Sequence, residues 1–244
     1  YKMAKEGAWQ HNTQIDLVKN DDYDGPQKAK NGGVTFKLYQ NPDTAYQDLL
    51  ANNLDVLQQI PTSALGNYKD DLGDRSLDEP YAGNQTIAIP YYLKNWSGEA
   101  GKLRRQALSM AIDRDEVIKV ILNGTRKPAT DMTAPVLEGY KGDVKNSENT
   151  KFDKDKAKEL WEQAEKIQPY DTSEKFTVAY NADAGGHKKW VDAVTNQIKN
   201  NLGIEAEGKS YSTFKEVRTD ATSGKLTGAV RSGWLGDYPS LYKF

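Results

Sequence analysis

The chain has 244 residues, of which 37% are hydrophobic and 28% charged, so it can bury a sizeable core in one large or two small domains. Its formal net charge of -2 does not favour a nucleic-acid or acidic-membrane partner. Cysteine is absent, which excludes thiol nucleophiles, and two distant histidines, His11 and His187, argue against a thiolate or multi-histidine zinc site, whereas 35 acidic residues leave carboxylate-only chemistry open.

The first ninety residues have the pattern of short strands and one helix. Ile15 and Leu17 alternate with polar residues, as do Val34, Phe36 and Leu38, which predicts two half-buried strands. The intervening residues are rich in Asn, Asp and Gly, and we interpret them as turns and loop.

A helix is predicted to begin at Pro42, because proline suits the first helical turn, and to end near Asn52. Its core-facing residues are expected to be Ala45, Tyr46 and Leu49. Residues 86–93 then form a mostly apolar extended run. Pro90 within this run indicates an edge or crossing segment that could act as a hinge.

Beyond residue 89, helical and strand patterns alternate, which predicts an α/β unit with parallel pairing. Asp113 followed by Glu116 has the spacing of a capping box, and another helix is expected near Asp153. We interpret the Arg104-Arg105 pair as structural. The core stripe of the helix near Asp153 is expected to be Ala157, Leu160, Trp161, Ala164 and Ile167.

The last third of the chain continues this alternation. Residues 176–180 are predicted to form a strand, and Gly185-Gly186 leads into a helix that begins near His187 and ends at Gly203. A short helix carrying Phe214 and Val217 follows. The final strand is predicted at residues 226–230.

The stretch AVRSGWLGDYP, residues 229–239, carries the most chemistry. Arg231 offers a fork for a carboxylate, Trp234 a flat apolar wall, and Asp237 a charge partner for an ammonium group. These are the needs of a zwitterionic ligand such as a peptide. The alternative is purely structural: a strand ending in a tight turn, with Trp234 in the core and Asp237 capping the turn.

Several segments, in order, carry a family resemblance. The segment LRRQALSMAIDRDEVIKVILNGTRKPA, residues 103–129, combines an arginine-led helix, an A-I-D-R turn and a second helix. KNDDYDG, DKDKAKELWEQA, NNLGIEAE and GWLGDYPS add further matches. Together they resemble the family 5 extracellular solute-binding proteins, which feed oligopeptide and dipeptide ABC transporters.

The resemblance implies a periplasmic-binding-protein-like fold of type II, an α/β fold whose two lobes close over a ligand about a hinge. Residues 1–88 are expected to form the later part of the first lobe and residues 89–244 most of the second. The chain begins without a starter methionine or a signal peptide, and it stops just after the W-x-x-D-Y motif. We therefore expect a fragment, incomplete at both ends, of a longer protein.

The resemblance also assigns roles to five residues. Asp237 is implied to receive the amino terminus of a peptide and Trp234 to line its channel. Arg231, Arg218 and His187 match positions near the ligand's carboxyl end, although the stretch between the two arginines is longer here than in the family pattern. Tyr91 and Tyr92 could pair their backbone with an extended peptide, but we interpret them as part of an ordinary aromatic cluster.

The function implied is capture of peptides, or of another amine-bearing solute, for delivery to the membrane permease of an ABC transporter. The protein is expected to be a monomer and not an enzyme, without metal or cofactor. It is expected outside the cytoplasmic membrane as a lipoprotein or periplasmic protein, anchored through a segment absent from this sequence. The alternatives are a carboxylate-dependent hydrolase and a binder of sugars or metal complexes on the same fold.

Overall fold

A computed structural model describes residues 1–142, 144–238 and 240 of the chain. Contacts along the backbone divide it into two compact units, Tyr1–Gln59 and Ile60–Phe244. This division falls earlier in the chain than the lobe boundary expected at residue 88. Which residues belong to which lobe of a whole two-lobed protein therefore stays a prediction.

The first unit contains a four-stranded antiparallel sheet and one helix. β3 lies at its centre and pairs with each of the other three strands. The strands are β1 (Lys2–Met3), β2 (Trp9–Gln10), β3 (Gln14–Val18) and β4 (Gly33–Lys37), and the helix is α1 (Pro42–Leu50). The two strands predicted from alternation are found as β3 and β4, with Ile15 opposite Phe36 and Leu17 opposite Val34. The predicted half-burial is confirmed for β3 but is wrong for β4, which ends at Lys37 and leaves Phe36 55% exposed.

The predicted helix at Pro42 is confirmed as α1. The side chain of Asn41 accepts a hydrogen bond of 2.8 Å from the backbone N–H of Asp43 and so caps the helix start. The three predicted core residues, Ala45, Tyr46 and Leu49, are buried. The helix ends before Asn52, whose φ of 59° is in the left-handed region.

The second unit combines six helices with a four-stranded sheet in the part of the chain that is described. Its helices are α2 (Tyr68–Leu72), α3 (Gly98–Met110), α4 (Arg114–Ile121), α5 (Lys154–Ile167), α6 (His187–Leu202) and α7 (Phe214–Thr222). Its strands are β5 (Gly83–Ala88), β6 (Phe176–Asn181), β7 (Ala206–Tyr211) and β8 (Ala229–Leu235). Short 3₁₀ turns lie at Gly73–Arg75, Lys94–Trp96 and Glu148–Thr150.

The strand order of this sheet is β5-β8-β6-β7. β6 pairs in parallel with β7 on one side and with β8 on the other, which confirms the predicted parallel pairing, whereas β5 pairs antiparallel with β8. The chain leaves β6 through α6 to β7, then passes through α7 to β8 on the opposite side of β6. In open α/β sheets, ligands bind at the carboxyl ends of the strands where the strand order reverses in this way, here between β6 and β8.

The core of this unit lies around β6, every residue of which is at least half-buried. Aromatic rings from three elements meet beside it, with the Trp96 ring centroid 4.9 Å from that of Phe176 and 6.1 Å from that of Trp161. Burial of such rings supplies much of the hydrophobic stabilisation of a domain. β6 therefore runs through a packed interior and ends where the strand order reverses.

Arg104 is the largest charged side chain inside this core, with 0% of its surface exposed. Its guanidinium donates 2.9 Å hydrogen bonds to the backbone carbonyl of Asn95 and to Glu165, and it also donates to the carbonyl of Gln168. Its carbon Cζ lies 5.6 Å from the Trp161 ring centroid. The structural interpretation of Arg104 is thus confirmed.

Some local expectations are wrong. β8 begins and ends later than residues 226–230, because β5 pairs with it as far as Leu235. Ile167, expected on the core stripe of α5, is 56% exposed at the last position of the helix. Asp113 does cap α4, but the Glu116 side chain accepts from Gln197 and does not complete a capping box.

Candidate functional site

The candidate site lies where β6 ends, where its ladder with β8 stops, and where α6 and α7 begin. Asn181 is the last residue of β6, and Arg231 lies within β8 just beyond the last residue paired with β6. His187 opens α6 and Phe214 opens α7. The topology thus gathers at one edge of the sheet four residues that are far apart in sequence.

Arg231 is held by an amide oxygen. Its Nε and Nη2 donate hydrogen bonds of 3.0 Å and 2.7 Å to Oδ1 of Asn181, which is buried, and its Cζ lies 5.4 Å from the Phe214 ring centroid. Burial lowers the pKa of the guanidinium below its ordinary value, while the Asp183 charge opposes that shift. The guanidinium is therefore held by hydrogen bonds from Nε and Nη2 and is packed on one face by the Phe214 ring.

Asp183 lies next to this arginine without pairing with it directly. Its Oδ1 accepts from Nδ2 of Asn181, and its Oδ2 accepts a 3.1 Å hydrogen bond from the backbone N–H of Phe214. The hydrogen bond from Asn181 lowers the pKa of Asp183 most. The carboxylate is thus ionised at neutral pH, with both oxygens engaged.

His187 is half-buried at the start of α6. The indole Nε1 of Trp190 donates a 3.3 Å hydrogen bond to its Nδ1, so this nitrogen is the acceptor and Nε2 carries the proton of the neutral ring. Burial, and then the charge of Arg231, lower the pKa of His187 to about 4. The ring is therefore a neutral hydrogen-bond donor at physiological pH.

The N-terminus of α6 adds a positive end of a helix dipole. Gly186, at the N-cap, has a φ of 88° and offers no side chain to the helix start. First-turn N–H groups of a helix attract anions when no side chain caps them. Together with Arg231 and the donor nitrogen of His187, this helix start makes the edge a potential site for a carboxylate.

The other predicted site residues are Trp234, Asp237 and Arg218. Trp234 lies near the end of β8, opposite Asn84, and is 51% exposed. The structural alternative, which expected Trp234 in the core, is therefore wrong on this point. Asp237 is exposed in the bend after β8, and Arg218 is exposed on α7. Pro239, which follows in the motif, lies outside the described residues.

The backbone of β8 is a further feature of this end of the sheet. Its ladder with β6 pairs Ala229 and Val230 only, whereas its ladder with β5 continues from Val230 to Leu235. Beyond Val230, the side of β8 that faces away from β5 is therefore not covered by β6. An extended ligand can add to such an edge through main-chain hydrogen bonds.

Sequence reasoning missed Asn181 and Asp183. Asn181 ends a buried apolar strand and Asp183 follows it, and polar residues at the carboxyl end of a central strand are a signal of a site in α/β folds. That signal could have drawn attention to them. Their contact with Arg231 could not have been foreseen, because it depends on which strands become neighbours.

A depression of about 680 Å³ lies between α4 and α6, and three of its lining side chains are acidic. Two of its three acids make structural contacts: Asp113 caps α4, and Glu116 accepts a 2.7 Å hydrogen bond from Gln197. Among the described residues, no group of three or more acidic, histidine or cysteine side chains is arranged to hold a metal ion. We therefore do not place the site there.

Residues 1–244 match the family described as bacterial extracellular solute-binding proteins, family 5 Middle. The chain belongs to this family. The family resemblance expected from the sequence motifs is thus confirmed. No helix in the described ranges has both the length and the apolar character needed to cross a membrane.

Similar proteins bear peptide-binding names. The oligopeptide-binding protein OppA of Bacillus subtilis is 30% identical over 255 residues, covering 100% of this chain and 44% of its own length. The Borrelia burgdorferi oligopeptide-binding protein OppAIV has a TM-score of 0.78 at 26% identity, covering 96% of this chain and 44% of that one.

The murein tripeptide binding protein MppA of Escherichia coli also gives a TM-score of 0.78, at 25% identity, over 96% of this chain and 45% of its own. The expected fold class is thus confirmed as that of the periplasmic peptide-binding proteins. The chain spans less than half of the length of these relatives.

Proposed function

We propose that the full-length protein captures peptides outside the cytoplasmic membrane and delivers them to the permease of an ABC transporter. Membership of the family and the peptide-binding names of the similar proteins support this. The observation that carries the proposal is the side of β8 beyond Val230 that β6 does not pair with, where Arg231 comes first. Backbone pairing along that edge gives affinity that is independent of the ligand's side chains.

The charged groups along this edge complement the two ends of a peptide. In the proposal, Arg231 and the neutral His187 face the ligand's carboxylate, and Arg218 contributes a further positive charge. Asp237 receives the ammonium group, and Trp234 forms a wall of the channel. A charge-assisted hydrogen bond contributes about 1.5 to 3 kcal/mol, so fixed charges at both ends select zwitterionic ligands.

The proposal includes the remaining expectations for the whole protein. It acts as a monomer, without cofactor or catalysis, and closure of its two lobes over a peptide is the signal that the permease reads. It works in the periplasm or on the outer face of the membrane, anchored through a segment outside this sequence. Water-filled side-chain pockets would allow varied peptide sequences.

Mass spectrometry of ligands released from the purified full-length protein tests this proposal. We expect intact peptides, and calorimetry with the same synthetic peptides should give micromolar or tighter binding, about -8 kcal/mol or better. A protein that releases and binds no peptide would contradict the proposal. Cleavage of the added peptide would favour the hydrolase, and release of a sugar or metal complex would favour the other binder.

A further inference from the structure

The contacts of Asn181 fix the orientation of its amide. Arginine can only donate hydrogen bonds and an ionised carboxylate can only accept them, so Oδ1 must face Arg231 and Nδ2 must face Asp183. Asn181 is 2% exposed and stands between the two opposite charges. Within the described ranges, Arg231 forms no ion pair with a carboxylate.

We propose that Asn181 is a positioning residue that holds the Arg231 guanidinium through a neutral oxygen and keeps it from pairing with Asp183, so that its charge stays available to the carboxylate of a ligand. This inference rests on the proposed function. It concerns a residue that sets specificity for the ligand's carboxyl end by acting through Arg231.

Among the residues that the structure describes, only Asn181 accepts hydrogen bonds from the guanidinium. The group has five N–H donors, and two of them, on Nε and Nη2, are used by Asn181. The remaining donors are both on Nη1 and one on Nη2, which together form a second fork of the kind that binds a carboxylate through two hydrogen bonds. The Phe214 ring under the guanidinium limits its rotation further.

An aspartate at position 181 would remove this device with little change in shape. It would accept the same two hydrogen bonds as a carboxylate and would neutralise Arg231 from within the protein. It would also lie beside Asp183, so that the two acids repel each other and add negative charge near the ligand. A ligand carboxylate would then meet an arginine whose positive charge is already neutralised within the protein.

The test compares Asn181→Asp with wild type in the full-length protein. We expect the variant to bind a peptide with a free carboxylate about 10- to 100-fold more weakly, and the C-terminally amidated peptide with nearly unchanged affinity. The matched control is Asn200→Asp, which makes the same chemical change at an exposed position of α6. The control should leave both affinities as they are in wild type.

A readout without ligand accompanies the binding data. NMR titration of the His187 ring, assigned with a His187→Gln variant, should show its pKa raised by about one unit or more in Asn181→Asp, because the Arg231 charge that lowers it is now compensated. In wild type, the Arg231 Nε proton should exchange with solvent more slowly than that of the exposed Arg126. Because this exchange measurement uses the wild-type protein, it tests whether Asn181 holds Arg231 even if the variant fails to fold.

The outcomes separate the inference from the function. A wild-type protein that binds no peptide contradicts the proposed function alone, and the titration and exchange data still decide the role of Asn181. Retention of the preference for the free carboxylate in Asn181→Asp overturns the inference and leaves peptide capture intact. An unchanged pKa of His187 or a rapidly exchanging Arg231 Nε proton overturns it as well.

Discussion

Two arginines of the second unit show how the surroundings of one residue type separate structural from functional roles. Arg104 is fully buried and pairs with Glu165 at 2.9 Å. Arg231 is half-buried and meets the neutral oxygen of Asn181. The first charge is paired directly with a carboxylate, whereas the second, among the described residues, is not. An arginine in the second state is the one that can recognise an added anion.

Arg104→Ala should lower the free energy of unfolding by about 3 kcal/mol or more, because it leaves Glu165 and two backbone carbonyls without their buried partner. Urea denaturation measures this loss. Lys102→Ala is the control on the same helix, since its 3.8 Å pair with Glu99 is exposed, and its effect should stay within about 0.5 kcal/mol. Equal losses for the two variants would contradict the assigned role of Arg104.

His187 should make the protein less stable as the pH falls. Its pKa is about 4 in the folded protein against an ordinary value of 6.5, so between these values the unfolded chain binds more protons. The loss therefore begins as the pH falls below about 6.5 and is complete near pH 4. We expect the stability advantage of wild type over His187→Gln to shrink by about 1 kcal/mol across this range, after allowance for solvent screening.

Urea denaturation at pH 7 and at pH 4 measures the difference in the free energy of unfolding between the two proteins. The titration of the other acids cancels in this difference, because both proteins contain them. A difference between the two proteins that stays constant with pH would show that His187 is protonated equally readily in the folded and unfolded states.

At the scale of elements, the site depends on how α6 begins and how far β8 extends. The start of α6 was predictable, because a glycine pair after an apolar strand marks a turn into a helix. The length of β8 was not, since its last residues are held by β5, which is remote in sequence. For the same reason the contact between Asn181 and Arg231 could not be predicted, because it forms only when β6 and β8 are neighbours in the sheet.

Gly186→Ala should destabilise the protein by about 1 to 2 kcal/mol, because its φ of 88° is unfavourable for a residue with a Cβ. An added Cβ would also lie 2.7 Å from Oγ1 of Thr62. Urea denaturation should show that Thr62→Ala in the same chain restores only part of the loss. Gly66→Ala, where an added Cβ meets nothing within 4 Å, should be near neutral, and an equal effect there would contradict the argument.

At the scale of the whole molecule, the chain supplies groups for both charged ends of the proposed peptide ligand. The ordered motifs identified the family correctly, because they mark turns and caps such as Asp113 that the fold requires. The division at Gln59 and Ile60 was not anticipated from the Pro90 segment. Local composition marks a possible hinge, whereas compactness depends on contacts between distant residues. The lobes themselves stay a prediction for the full-length protein.

The central claim is that the edge of β8 recognises the charged ends of a peptide, and Asp237 tests it most directly. Calorimetry of full-length wild type and Asp237→Ala should show a loss of about 2 kcal/mol or more for a peptide with a free amino terminus, because its ammonium group would be buried without a charge partner. The N-acetylated peptide, which has no ammonium group, should lose much less.

Asp115→Ala, at an exposed position of α4, is the control for removal of an acid, and thermal melts of the free proteins should agree. The account predicts a selective loss for the free peptide in Asp237→Ala only. Equal losses for the free and the acetylated peptide in that variant would contradict it and would leave Asp237 as the cap of a turn.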